Sequence, residues 1–466
     1  LDADGFHDGK NDGPYRDEPV KSKDEADVIW NYNMMSELGV FQHNMATCAP
    51  TIWKDVLFVF TSNVVDNSHI TIPAPAAPSF IALNKWTGEL LWKDNSPGHN
   101  IMHGQWSCPV VGIFDDVPQV IFPGGDGWLY SFRADRWKDG KPELLWKFDC
   151  NPKTSKWILG GRGTRNNIVA YPVIYDDLVY VAVGQDPEHG EGGGRLWCID
   201  PTRRGDVSAE LVVDADGKRV PHRRVQAAED WEPVGKVATK DWAGLDKGVV
   251  SPPLRARLKE IGVTLPEGCE ILQEVVGGGW LISTHLDGER VQYRISLGDA
   301  ALQVQSRTED FLFPNPNSAV VWHYGHWTEA AHDALPFEEQ MHRAAGSPAI
   351  KNDLLFITDF SGLVHCLNAK TGTPYWRCDL LAACWSTPLI VEDKVYIGDE
   401  DGDVAGFTLS PDPEVSTKGN ARFRKPMHEI NMDNSTYTVP VVANNVLYIA
   451  NRTHVFASAA DEDDEP

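Results

Sequence analysis

Apolar and polar residues alternate over short runs along most of the chain, and these runs recur in one pattern. A proline, one further residue and an isoleucine or valine lead into a polar turn, and a second alternating run follows the turn. Two such runs joined by a tight Asp- or Asn-containing turn are typical of a β-hairpin. The pattern occurs six times, and its prolines are Pro50, Pro109, Pro172, Pro348, Pro388 and Pro440. We therefore predict a chain built from repeated antiparallel hairpins.

A second hairpin follows the first in the clearest copies, which read FIALNKWTGELLW at 80–92 and VHCLNAKTGTPYW at 364–376. Each turn begins at an asparagine, Asn84 or Asn368, and has a glycine four residues later that supplies a positive φ. Four antiparallel strands per unit, repeated radially, form the blade of a β-propeller. The predicted fold is all-β, a six-bladed β-propeller of four-stranded antiparallel blades.

Tryptophan marks the end of the outer strand in the first four predicted blades, at Trp92, Trp146, Trp322 and Trp376. The fifth predicted blade departs from this pattern and has only RFRKPMHEI from Arg422. The last predicted blade lacks a fourth strand, whereas VIWNYN at residues 28–33 has an outer-strand pattern and no blade of its own. We therefore predict that Trp30 docks in the last blade and that the N-terminal strand closes the ring, which removes a free sheet edge.

The interval between Pro172 and Pro348 is far longer than the others, which indicates an insertion in the third blade. It contains the helical pattern SPPLRARLKEIG at 251–262, followed by alternating strand patterns, so a small α+β module is predicted. The predicted domains are an acidic N-terminal tail at 1–27, the propeller at 28–200 and 318–458, the inserted module at 201–317 and an acidic C-terminal tail at 459–466.

Charge and composition restrict the partners of this fold. The chain carries 67 acidic and 42 basic side chains, a formal net charge of −25, which argues against nucleic acid because phosphate binding needs clustered Lys and Arg. No run of about 18 apolar residues is present, so no transmembrane segment is predicted. The start at Leu1 without Met is typical of a processed chain, and we expect a periplasmic or secreted protein whose signal peptide has been removed.

The eight cysteines lack the spacing of a zinc site. Buried free thiols are one interpretation of them, and one or two disulfides in an oxidising compartment are the other.

Polar residues are concentrated in the segments just before the repeated prolines. In a propeller these segments line the mouth of the central channel, and a concave mouth with polar groups and an aromatic wall is a candidate ligand site. The alternative is a structural network in which these groups pair with the loop carboxylates Asp126, Asp186, Asp359 and Asp399. The candidate ligand-binding residues are His43, Asn44, His103, Gln105, Arg165, Asn166, His342, Arg343, Trp385, Asn431 and Asn434.

Catalytic motifs are incomplete. His342 beside Arg343, with two glutamates just upstream, could relay a proton, but no nucleophile elbow, phosphate-binding loop or H-E-x-x-H motif accompanies them. The acidic run at 399–403 is interpreted as a solvated turn between strands, because it does not complete a calcium loop. We therefore predict no catalytic residue and no metal site, and favour a structural role for His342.

The runs ALNKWTGELLW and CLNAKTGTPYW resemble the tryptophan-docking repeat of PQQ-type, or quinoprotein-like, β-propellers. This family includes quinoprotein alcohol dehydrogenases and the outer-membrane assembly lipoprotein of BamB type. The runs MHRAAGSPAI and HEINMDNSTYTVPVVANNVLYIAN are similar to those of secreted members of planctomycete type. The resemblance covers about residues 28–200 and 318–458 and implies the propeller fold, but catalytic and non-catalytic members share the motif.

The cofactors of the dehydrogenases are not expected here. Those enzymes are similar to one another in a vicinal Cys-Cys disulfide over PQQ and in a calcium ion held by Glu, Asn and Asp. This sequence has no Cys-Cys dipeptide, and its six recognisable blades are fewer than the eight of those enzymes. The resemblance therefore does not carry PQQ or calcium with it.

The function expected from the sequence is a non-catalytic binding or scaffold module in an extracytoplasmic protein assembly. The competing interpretations are a divergent quinoprotein oxidoreductase using PQQ and calcium, and a carbohydrate-active enzyme using the mouth of the channel for a small-molecule ligand.

Overall fold

A computed structural model describes most of the chain. The described residues are 13–15, 26–43, 48–185, 187–213, 232–238, 245–246, 249–250, 252–265, 270–274, 279–286, 289–297, 301–309, 311–327, 329–420 and 423–459. The chain divides into two compact units, and the second comprises Lys153–Lys156 and Glu210–Asn315. The first unit comprises Leu1–Pro152, Trp157–Ala209 and Pro316–Pro466.

The first unit begins with a short helix and two antiparallel sheets in which the strands follow one another in chain order. Helix α1 is capped by the Asn33 side chain and ends at Gly39, whose φ is 67°. The elements are α1 (Met34–Leu38), β1 (Thr51–Trp53), β2 (Val56–Phe60), β3 (Phe80–Asn84), β4 (Leu90–Asp94), β5 (Val110–Phe114), β6 (Val117–Pro123), β7 (Trp128–Lys138) and β8 (Lys141–Asp149), with a 3₁₀ turn at Gly98–Asn100.

The third sheet is interrupted in sequence by the second unit. Its strands lie in the order β22-β11-β10-β9, and β12 pairs in parallel with β8 of the preceding sheet. The elements are β9 (Val173–Tyr175), β10 (Leu178–Val183), a 3₁₀ turn (Pro187–His189), β11 (Arg195–Ile199), β12 (Gly205–Asp206), β13 (Glu210–Val213), β14 (Glu232–Ala238), β15 (Leu245–Asp246), β16 (Val249–Val250), α2 (Pro252–Glu260), β17 (Glu270–Glu274), β18 (Gly279–Leu286), β19 (Glu289–Leu297), β20 (Ala301–Glu309), β21 (Phe311–Pro314) and β22 (Val320–Tyr324).

Three more antiparallel sheets complete the first unit, in the orders β23-β24-β25-β26, β27-β28-β29-β32 and β33-β34-β35, and β30 pairs with β31 in a separate hairpin. The elements are α3 (Glu329–Asp333), a 3₁₀ turn (Phe337–Glu339), β23 (Ala349–Lys351), β24 (Leu354–Thr358), β25 (Leu363–Asn368), β26 (Pro374–Asp379), β27 (Leu389–Val391), β28 (Lys394–Gly398), β29 (Asp403–Thr408), α4 (Pro413–Ser416), β30 (Thr417–Asn420), β31 (Phe423–Pro426), β32 (His428–Asn431), β33 (Val441–Ala443), β34 (Val446–Ala450) and β35 (Val455–Ala459).

The predicted hairpins and a helix within the pattern at 251–262 are confirmed, and the described chain is mostly β, with four four-stranded antiparallel sheets among its ten sheets, which is consistent with a propeller. The fifth sheet narrows one expectation. Its outer strand is β32, which begins within the run RFRKPMHEI and takes up its last three residues. The earlier part of that run, Phe423–Pro426, forms β31 and pairs with β30, which lies only a few residues earlier in the chain.

Consecutive sheets pack against each other through buried aromatic side chains. Between the first two sheets, the rings of Phe80 and Phe122 stack with centroids 4.7 Å apart, and Trp92 lies 6.0 Å from Phe122. Between the fourth and fifth, Trp376 stacks on Phe407 at 5.6 Å. Aromatic rings bury large apolar areas, so these contacts dominate the packing between sheets.

Two tryptophans lie on equivalent turns. The Trp322 indole N–H donates to the Ala369 carbonyl at 2.9 Å, and its ring covers Gly372, where an added Cβ would lie 2.5 Å from the ring. The Trp30 indole donates in the same way to the Lys85 carbonyl at 2.8 Å and covers Gly88. Both glycines have φ near 70°, at 70° and 73°, which also disfavours any side chain.

Residues 28–33 form no assigned strand, and in the described part of the chain the last sheet has three strands. The number of blades and the closure of the ring by the N-terminal strand therefore stay predictions.

The second unit has its own apolar core, formed by helix α2 and the strands around it. Leu254, Leu258, Ile282 and Ile295 are buried together there. The unit is joined to the first through β13 and β21, which pair antiparallel with Val213 opposite Phe311.

Excision of the second unit is expected to leave the first folded. Replacing residues 214–310 by Asn-Gly joins paired positions of β13 and β21 by a hairpin turn. We expect the urea-unfolding free energy of the first unit, followed by tryptophan fluorescence, to be unchanged or modestly higher, because a shorter connection costs less entropy to close.

A wider excision of residues 201–317 provides the control. It removes Val207, which is fully buried in the core of the first unit, and Ser208, whose hydroxyl accepts the Asp149 N–H at 2.9 Å. We expect it to destabilise the first unit by about 2–4 kcal/mol. Equal stability of the two excised proteins would contradict the assignment of residues 201–209 to the first unit.

Candidate functional site

Arg165, in the segment before β9, is held by an internal ion pair. Its Nη2 donates to Asp149 Oδ1 at 2.6 Å, and its Nε donates to the Asp126 carbonyl at 2.9 Å. The side chains of Arg165 and Asp149 are 6% and 1% exposed. A buried pair of this kind strongly penalises the removal of either partner.

Asp126 lies in the turn between β6 and β7 and shares this network through its backbone. Its carboxylate accepts the Tyr130 hydroxyl at 2.6 Å and the Trp128 N–H at 3.3 Å. Burial raises the pKa of Asp126 to about 6, although the hydrogen bond from Tyr130 and the charge of Arg165 oppose this change.

Arg343 and Asn166 connect the segments before β23 and β9. The Arg343 Nε donates to Asn166 Oδ1 at 2.7 Å, and its two Nη atoms donate to the carbonyls of His189 at 2.5 Å and Gly163 at 3.1 Å. Asn166 Nδ2 donates in turn to the Gly193 carbonyl at 2.8 Å. The guanidinium therefore fixes two loops at once.

Asp359, between β24 and β25, is the centre of a second network. Its Oδ2 accepts the His342 N–H at 3.0 Å and lies 3.1 Å from both His342 Nδ1 and His365 Nε2. Burial alone would raise the pKa of this carboxyl, but hydrogen bonds from the two histidines and their charges hold it below its usual range. Beyond His365, the Tyr324 hydroxyl lies 3.1 Å from Nδ1 and accepts Arg377 Nε at 2.7 Å.

The remaining candidates are held locally. Gln105 is buried and donates to the Asn63 carbonyl at 2.6 Å, and Trp385 packs between Phe360 and Tyr437 with centroid distances of 5.4 and 5.3 Å. Asn431 donates to Asp403 at 2.8 Å, while the Asn434 side chain accepts the N–H of its own neighbour. Asn44 and the loop carboxylate Asp186 lie outside the described residues.

His43 and His103 belong to a cluster that sequence reasoning found only in part. The ring of His69 lies 5.0 Å from that of His43 and 4.4 Å from that of His103, and His189 lies 5.4 Å from His103. His69 lies in the connection from β2 to β3, and His189 in that from β10 to β11. The two histidines follow no repeated sequence pattern, so their proximity becomes evident only from the packed loops.

The seven described cysteines, which exclude Cys269, are free thiols. Among the described residues, no three His, Cys, Asp or Glu side chains are arranged to hold a metal ion. Within that same part of the chain, none of the helices has the length and apolar character needed to span a bilayer.

Two sequence comparisons relate the chain to known proteins. A PQQ-type family model, described as outer membrane protein assembly factor BamB, matches residues 313–411. Outer membrane protein assembly factor BamB of Shewanella oneidensis is 32% identical over 363 residues, which cover 70% of this chain and 79% of that protein. A polyvinylalcohol dehydrogenase of a Pseudomonas species is 47% identical over 47 residues, which cover 10% of this chain and 7% of the enzyme.

Solved structures overlap the chain more loosely. The crystal structure of BamB from Moraxella catarrhalis is 13% identical, with coverage of 88% of this chain and 81% of that chain and a TM-score of 0.31. The computationally designed Ika8 protein is 10% identical, with coverage of 90% and 98% and a TM-score of 0.29. Both TM-scores are below 0.5, so no conclusion about the fold or function of this chain is based on these structural matches.

Replacement of Asp359 by Asn is expected to destabilise the first unit by about 3 kcal/mol at pH 7, because it leaves two buried histidines without their carboxylate. The pKa of Asp359 is lowered in the folded state, so its stabilisation is present above about pH 4 and is lost only as pH falls through the lowered pKa. Urea unfolding at pH 7 measures the loss. Asp393→Asn, which removes an exposed pair with Lys394, is the control and should stay near the wild type. Equal effects of the two changes would contradict the central role of Asp359.

Asp126→Asn is expected to change the pH dependence of stability in the opposite sense. The folded pKa of about 6 exceeds the ordinary 3.8, so the protonated carboxyl stabilises the fold at low pH and this contribution is lost as pH rises through 6. Between pH 5 and pH 8, the unfolding free energy of the wild type should fall relative to that of the variant by about 1.4 kcal/mol. A pH-independent difference between the two proteins in urea unfolding would show that Asp126 does not titrate in this range.

Proposed function

Because the chain belongs to the family of outer membrane protein assembly factor BamB, a family of PQQ-like β-propellers, we propose that it is a non-catalytic scaffold in an extracytoplasmic assembly. The observation that carries the proposal is that the side chains of Arg165, His342 and Arg343 are engaged in hydrogen bonds within the protein. Each of these side chains donates to acceptors of the protein itself, and two of the acceptors are buried carboxylates. Such bonds make the loops rigid, as a docking platform requires.

The proposed scaffold is a six-bladed ring closed by residues 28–33. The support is the equivalence of two contacts: Trp30 covers Gly88 as Trp322 covers Gly372, and Trp322 belongs to the outer strand of the sheet before the one that it covers. By this equivalence, Trp30 belongs to the outer strand of a sheet that precedes the first, which in a closed ring is the last. Pairing of residues 28–33 with β35 would supply that strand.

A cavity beside β26 and β31 is the surface we propose for a protein partner. It has a volume of about 560 Å³, and its apolar lining includes Leu381 and Phe423, which are 85% and 66% exposed. Arg377, Lys425 and Glu429 add charges of both signs. Exposed apolar groups rimmed by charges are typical of protein interaction sites.

The second unit is proposed as a further contact module. It has a separate core, so it can carry a binding surface without being needed for the packing of the sheets.

A second candidate function is supported by the local similarity to polyvinylalcohol dehydrogenase. The short match, the absence of a Cys-Cys dipeptide and the internal pairing of the polar loops all favour the scaffold. Dye reduction with polyvinyl alcohol after addition of PQQ and calcium would establish the enzyme instead, and we expect none.

The scaffold proposal predicts that the native protein, extracted with mild detergent, elutes above the mass of one chain together with proteins of outer membrane assembly. Leu381→Arg and Phe423→Arg should release the chain as a monomer, because each places a charge in the proposed apolar contact. Ile113→Arg is the matched control, since Ile113 is 58% exposed on β5 and does not line the cavity.

Size-exclusion chromatography with mass spectrometry of the co-eluting proteins makes the measurement. A monomeric wild type would contradict the scaffold function. Assembly that resists both substitutions would contradict only the proposed surface.

A further inference from the structure

Four histidines from separate loops meet in the first unit. His43 precedes β1, His69 follows β2, His103 precedes β5, and His189 ends the 3₁₀ turn after β10. Their rings are connected in sequence by centroid distances of 5.0, 4.4 and 5.4 Å, and Trp106 lies 5.2 Å from His103. The networks around Arg165, Arg343 and Asp359 do not include the imidazole nitrogens of His43 and His69.

The closest contact in the cluster joins two imidazole nitrogens. A hydrogen bond of 2.8 Å connects Nε2 of His43 and Nε2 of His69. Two bonds of about 2.0 Å from one metal ion place their nitrogens about 2.8 Å apart at a right angle and about 3.3 Å apart at a tetrahedral angle. The observed separation therefore fits neighbouring positions of a square-planar or tetragonal ion, the geometry that Cu²⁺ and Ni²⁺ prefer over Zn²⁺.

We propose that His43 and His69 form a binding site for a tetragonal divalent metal ion, with Cu²⁺ as the preferred ion. Imidazole nitrogen is a suitable ligand for Cu²⁺, which also binds most tightly among the divalent first-row metals. Water completes the coordination, since no three side chains of the described residues are placed to ligate together. His103 and His189 form the wall beside the two ligands.

His69 lies on a loop that internal hydrogen bonds hold in place. Its loop is fixed by Asp66, whose backbone carbonyl accepts the His69 N–H at 2.9 Å and whose carboxylate accepts the N–H groups of Ile70 and Thr71. A fixed loop reduces the entropy that the ligand loses on binding.

The experiment uses the full chain without a polyhistidine tag. Cu²⁺ is added to one equivalent in the presence of glycine, and electron paramagnetic resonance and isothermal titration calorimetry are recorded. We expect a tetragonal Cu²⁺ spectrum with coupling to at least two nitrogens, and at least tenfold weaker binding in both His43→Gln and His69→Gln. His454→Gln, an exposed histidine in the β34–β35 turn, is the matched control and should bind as the wild type does.

Thermal unfolding separates loss of the site from loss of the fold. Cu²⁺ should raise the unfolding midpoint of the wild type and of His454→Gln, but not those of the two ligand variants, whose metal-free midpoints report their folding. Identical spectra and affinities in all four proteins would overturn the proposal. Tighter binding of Zn²⁺ than of Cu²⁺ would overturn the tetragonal assignment.

Discussion

The packing of each sheet against the next is the constraint on which the first unit depends. The central strands have both faces buried: β24 is buried at every position, and β10 is buried at all positions but its first. Such strands cannot face water on either side, so each sheet needs a neighbour on both faces. The large rings of Phe80, Phe122, Trp92 and Trp376 fill the spaces between consecutive sheets. Stacking of sheets in chain order follows from this requirement, and it brings together the loops at the strand ends.

The regular geometry of a β-hairpin explains why most strands could be predicted from the sequence. A hairpin has a period of two and a turn residue at a fixed place, so the strands around Pro50 or Pro348 could be located without the fold. The fifth outer strand could be placed only loosely, within the run at 422–430, because its position carries no tryptophan and a separate hairpin precedes it. The limits predicted for the insertion, 201–317, also differ from those of the second compact unit. Val207 is buried in the core of the first unit, but nothing in its local pattern distinguishes it from an insertion.

The polar residues of the loops could be predicted from the sequence, but their hydrogen-bond partners could not. Arg165 and Arg343 both precede a repeated proline, yet one pairs with Asp149 and the other with Asn166 and backbone carbonyls. The partner of Arg165 comes from the end of β8 and not from a loop between second and third strands. Which residues pair with each other depends on which strand ends become neighbours, and the packing of the sheets determines this. The same reason explains why His69 and His189 were not foreseen.

The side chains of the last sheet are more exposed than those of the earlier sheets of the first unit. Val441 and Val455 are 54% and 71% exposed, whereas the corresponding residues of the fourth sheet, Ala349 and Val364, are partly buried and fully buried. The side chains of β35 are exposed along its whole length, and its backbone has one neighbouring strand in the described part of the chain. A sheet edge with apolar side chains is costly in water and favours pairing with another strand. Residues 28–33 have the composition and the tryptophan that such a strand needs, and Trp30 already lies on the first sheet. The hydrophobic effect therefore favours covering this edge, which the proposed pairing with residues 28–33 would achieve.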